Sequence, residues 1–215
     1  MSHKSRLALT VLLILSTSPA FAQGEFVDRG QSCLALLPQL TFGPNSTGYG
    51  VNLGYCAEGY LDFGFVYSKN EDTDAKGYGP TMAAHLMKTR RGNGMFGASA
   101  YLSFQSLEFP TEDTITFKTT LILVEAALYY NFYISDWLTL QPSYTSTMAI
   151  DLETAWEQSA TGRADRLDFY QNIGLAMELY RGKQYHPFLF AGLVIPNQTS
   201  ENVYGSIGVG ILAVF

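Results

Sequence analysis

Apolar and polar residues alternate with a period of two along most of this 215-residue chain. The clearest case is 95–106. Phe96, Ala98, Ala100, Leu102 and Phe104 share one face, and Gly97, Ser99, Tyr101, Ser103 and Gln105 share the other. Successive side chains of a strand point to opposite faces, so the pattern predicts a strand between two unlike environments. Segments 33–42, 47–56, 60–68, 78–88, 114–134, 137–150, 165–181, 184–195 and 203–215 read as strands too. The 114–134 stretch is long enough for a helix, but its β-branched and aromatic content favours a strand. In 184–195 the two faces do not separate, because Phe188, Leu189, Phe190 and Leu193 occupy both.

Ten strands result, with eight as the alternative if the first hairpin lies outside the wall. Short turns near 57–59, 89–94, 135–136 and 182–183 alternate with longer polar connections at 43–46, 69–77, 107–113, 151–164 and 196–202. Aromatic residues gather near the strand ends on both sides. The last strand ends on Phe215 with no polar tail. A bare apolar strand end invites aggregation in water, whereas a closed barrel in lipid pairs both of its edges. Pro38 interrupts the first strand and predicts a bulge or local irregularity there, since proline donates no ladder hydrogen bond.

Residues 1–22 read as a signal peptide: Lys4 and Arg6, an apolar run over 7–15, then Ala20-Phe21-Ala22 as a cleavage site. Without Lys4 and Arg6 the chain has 11 basic residues against 19 acidic, a formal net charge of −8. That balance, with no basic cluster, argues against nucleic acid as a partner. No later segment approaches the roughly 20 apolar residues of a spanning helix.

Together these features resemble the small outer-membrane β-barrel proteins of Gram-negative bacteria as a class. The resemblance implies an all-β fold, a transmembrane antiparallel up-and-down β-barrel, over residues 23–215 as one domain. It places the short turns in the periplasm and the long loops outside. Residues 23–32 then form a polar periplasmic lead-in. The final strand, with Val209, Ile211, Ala213 and Phe215 outward, resembles the C-terminal assembly signal of such proteins. Implied partners are outer-membrane lipid and lipopolysaccharide, periplasmic chaperones and the barrel-assembly machinery. A monomer in the outer membrane is expected.

A first hairpin centred between Pro44 and Asn45 sets Phe42 against Thr47, Leu40 against Tyr49, Leu36 against Leu53 and Cys33 against Cys56. A Cys33–Cys56 disulfide is expected in an oxidising compartment. A register shift at Pro38 would instead leave two free thiols. The inward faces carry Asp62, His85, Glu125, Asp168 and Glu178. Buried charges must be paired or hydrogen-bonded, so a side-chain network plugging the barrel is the first reading. His85 pairs with Asp62 if the register allows. Few cations are evident to balance the acids. A narrow path for small solutes or cations is the second reading, and a lipid-modifying enzyme the third. No nucleophile-base pair converges, so catalysis is not expected, and neither are a metal or a cofactor. The 151–164 loop offers Trp156 for a surface contact.

Overall fold

The computed structural model describes residues 23–44, 46–110, 116–152, 167–180, 183–197 and 202–215. The signal-peptide segment and Trp156 lie outside the described residues. The strands are β1 (Cys33–Gly43), β2 (Ser46–Ala57), β3 (Leu61–Asn70), β4 (Lys76–Arg91), β5 (Gly94–Pro110), β6 (Thr116–Ser135), β7 (Leu138–Asp151), β8 (Leu167–Leu179), β9 (Tyr185–Pro196) and β10 (Tyr204–Val214). Each pairs antiparallel with its sequence neighbours, and β1 pairs with β10, so the sheet closes into a ten-strand barrel. The shortest, β3, has 10 residues and the longest, β6, has 20. About 9–11 tilted residues cross a hydrocarbon core, so every strand is long enough.

The alternation in sequence becomes an inside and an outside. Leu34, Leu36, Leu40, Phe42, Leu53, Phe63 and Phe65 point out and are exposed, while Cys33, Ala35, Leu37 and Cys56 are buried in the lumen. On β9 the structure resolves the ambiguous faces: Phe188 and Phe190 point in, Leu189 and Leu193 out. β10 makes the room. A Cβ on Gly208 would lie 2.2 Å from Phe190 Cζ, and one on Gly210 2.3 Å from Phe188 Cζ. The rings therefore lie across glycine backbone. At the chain end Phe215 N–H donates to the Ser32 carbonyl (2.9 Å) and Ser32 N–H to that of Phe215 (3.0 Å), and Phe215 stacks near Tyr55.

The first hairpin keeps the expected register throughout, with Cys33 opposite Cys56. Pro38 shifts nothing: it sits opposite Val51, and on the β10 side the ladder skips Leu37 and Pro38 and resumes in step. Of the two expectations at Pro38, the local irregularity occurs, as that gap, and the bulge does not. Register shifts lie instead in β4, between His85 and Met87, and in β6, between Tyr133 and Ser135. The expected disulfide is not formed in this structure. Both cysteines are free and fully buried, although the register that brings them together is the predicted one.

The lead-in also departs from expectation. Residues Gln23–Phe26 form a 3-10 turn, and Gly24, Glu25, Phe26 and Val27 are buried. They fold back into the barrel from the end that holds the short turns and both strand termini. Two apolar side chains in a row, Phe26 and Val27, drive this, each contributing about 1.5–3 kcal/mol when taken from water.

Candidate functional site

The lumen is layered along the barrel axis. At the terminal end Phe26 and Val27 pack with Cys33, Ala35, Leu37, Cys56, Phe188, Phe190 and Leu212. Phe26 stacks on Phe188 with ring centroids 5.5 Å apart. At the loop end Leu107, Leu121, Leu123, Ala149, Tyr170, Val194 and Tyr204 close the interior, with Ala75 folded in from the β3–β4 connection. Polar side chains occupy the rest of the lumen.

The N-terminal turn meets a polar group on the β3–β6 side of the terminal cluster, where Asp62 is directly opposite Cys56. Gly24 N–H donates to both Asp62 carboxylate oxygens at 3.2 Å, and His85 Nε2 meets Asp62 Oδ2 at 3.1 Å. A Cβ on Gly24 would sit 2.3 Å from His85 Nε2, so only glycine allows this approach. Lys88 donates to the carbonyls of Gly24 and Val27, the latter at 2.9 Å. Ser99 donates to Glu25 Oε1 at 3.0 Å, and Tyr101 donates to the same oxygen. Asn131 Nδ2 donates to the Glu25 carbonyl at 2.7 Å, and Gln141 Nε2 in turn to Asn131 Oδ1 at 2.8 Å. The turn has too few residues to satisfy its own backbone, and side chains from β3, β4 and β6 do so instead. Burial raises the Glu25 carboxyl to about pKa 8, against the lowering effect of its Tyr101 and Ser99 donors.

The expected Asp62–His85 pair is therefore present, and it anchors a segment of the chain. Glu178 meets a partner that sequence reasoning did not assign. His186 Nδ1 lies 2.7 Å from Glu178 Oε1, and its Nε2 faces the Lys183 carbonyl at 2.6 Å. Glu125 is 95 % buried, between Tyr101 on β5 and Thr147 on β7. Asp168 is half-buried on β8 opposite Ala149. The four inward acids are thus split over four places and do not converge. Among the described residues no three His, Cys, Asp or Glu side chains gather as metal ligands.

Lys88 is the buried cation that the sequence pattern concealed. Counting on from Thr81, Ala83 and His85 points Met87 inward and Lys88 into lipid. The β4 bulge adds one residue and reverses that, so Lys88 is only 7 % exposed. The one available signal is chemical: a lysine in the middle of a lipid-facing row is costly enough to imply a break in the alternation.

No model of a known protein family matches the sequence, and neither does any curated protein. Solved structures do match in fold. The translocator domain of autotransporter NalP from Neisseria meningitidis is similar with a TM-score of 0.53 at 11 % identity, covering 99 % of each chain. The β domain of the Bordetella autotransporter BrkA has a TM-score of 0.50 at 10 % identity, covering 87 % of this chain and all of that one. The fold is that of an outer-membrane β-barrel. At these identities the likeness concerns architecture alone. The barrel's interior has to be read from its own residues.

Proposed function

We propose that this chain is an integral outer-membrane protein whose lumen is stoppered by its own N-terminal segment, with a structural or surface-interaction role carried by the loop end. One observation carries the reading: Gly24–Val27 fill the terminal end of the lumen while a second apolar cluster closes the loop end. Among the described residues these two apolar clusters, one at each end, support a lumen that is closed to solutes.

The reading includes export and maturation. Cleavage after Ala22 makes Gln23 the first residue, one position before Gly24, whose N–H donates to Asp62. Chaperone escort and insertion by the barrel-assembly machinery follow, with Val209, Ile211, Ala213 and Phe215 as the assembly signal. Oxidation of Cys33 and Cys56 after export ties β1 to β2 beneath the plug. Mass spectrometry of protein from outer membranes is expected to find Gln23 first and no alkylatable thiol; an intact leader or two free thiols contradicts this part.

Liposome swelling tests the plugged reading. Vesicles carrying the refolded protein are expected to exclude small sugars as protein-free vesicles do. Swelling above that baseline favours the channel reading.

A further inference from the structure

Glu25, Asp62 and Lys88 around the N-terminal turn all have hydrogen-bond partners, but Glu125 stands apart from them. Its side chain enters the lumen from β6 and is 95 % buried. Among the described residues no hydrogen-bond donor or cation meets its carboxylate: Tyr101, opposite it on β5, gives its hydroxyl proton to Glu25. On the other side Thr147 of β7 is directly opposite. Asn172 of β8 turns its amide nitrogen to Thr147 Oγ1 at 3.2 Å. That leaves Asn172 Oδ1 buried with no hydrogen-bond partner. The Thr147 hydroxyl proton is the donor that register brings opposite Glu125, and the Glu125 carboxylate and Asn172 Oδ1 outnumber it. A buried carboxylate and a buried amide oxygen are both costly when unmatched.

We propose that Glu125, Thr147 and Asn172 form a binding site for a small monovalent cation in the barrel lumen. One carboxylate and two neutral oxygens suit a single positive charge. A divalent ion seeks more carboxylate oxygens, and the described residues gather no such set. The cation is either a bare alkali ion or a primary ammonium group, which the same oxygens accept. It neutralises Glu125 and completes Asn172 Oδ1, and so ties β6, β7 and β8 together behind the plug.

Thermal unfolding of the refolded protein in detergent tests the site. The measurement is made at about pH 9, which favours the carboxylate. The protein is refolded in potassium chloride, methylammonium chloride or N-methyl-D-glucamine chloride at constant ionic strength, so that the cation is present before the lumen closes; the last cation is too bulky for the site. Potassium or methylammonium is expected to raise Tm by about 3 °C over the glucamine salt. Which of the two does so identifies the source. Glu125→Gln is expected to abolish the shift, and Asn172→Ala to at least halve it. Asn172→Ala supplies the same readout if Glu125→Gln does not fold. Equal Tm in all three salts, or a shift that survives in the folded variants, overturns the site. Neither result bears on the plug, which liposome swelling tests separately.

Discussion

Glu25 is buried where its carboxyl meets Tyr101 and Ser99 with Asp62 and Lys88 nearby, and burial raises it from 4.5 to about 8. The docked turn therefore holds a proton that the undocked turn releases near the usual carboxylate value. By linkage, docking is strongest below about pH 4.5, weakens as pH rises through the window to about 8, and is weakest above it. Hydrogen exchange at Phe26 and Val27 is expected to quicken across that window, and Glu25→Gln to flatten the dependence. A pH-independent opening equilibrium in wild type contradicts the account. Gly24→Ala tests the same contact sterically. Its Cβ would lie 2.6 Å from His85 Cδ2 and 3.0 Å from Asp62 Oδ1. Faster exchange of the turn is expected, with the barrel still heat-modifiable on a gel. At this scale the sequence told which acids face inward, because parity follows directly from the alternation. It did not tell what Glu25 meets. Residues 74 to 106 positions away in sequence supply its partners, and no local pattern carries that information.

At the scale of elements, ten strands and the register of the first hairpin were legible, and two features were not. The faces of β9 blur because its lumen side lies against an apolar seal, so lipid and lumen demand the same residue type there. The β4 bulge was hidden because one extra residue leaves no mark in a row of mixed side chains. It yields a sharp prediction. Deleting Leu86 removes the extra residue and keeps Lys88 inward, so the barrel should still form and run as a heat-modifiable band. Deleting Ala84 restores the same parity at Lys88 but turns His85 to lipid and Leu86 into the lumen, so the Asp62–His85 contact is lost and the N-terminal turn should exchange faster than in the Leu86 deletion. Equal exchange in the two deletions would refute the assigned bulge. Lys88→Met keeps volume but removes two charge-assisted bonds to the turn, each worth about 1.5–3 kcal/mol. It should release the plug to exchange without unfolding the wall.

For the whole molecule, the period-2 pattern and the even strand count were enough for a membrane barrel, because lipid outside and a narrow lumen inside dictate both. They left open what fills the lumen. That depends on Phe26 and Val27, in a segment whose mostly polar composition reads as a lead-in, and on two apolar clusters that together draw on eight of the ten strands. The clusters act in series, so removing residues 23–27 alone should leave the loop-end seal intact. The central claim is that the lumen is sealed. Planar-bilayer recording of the refolded wild-type protein tests it most directly. The account predicts a baseline without discrete steps; well-resolved steps that vanish on replacing Asp62 and Glu125 with Ala would contradict it.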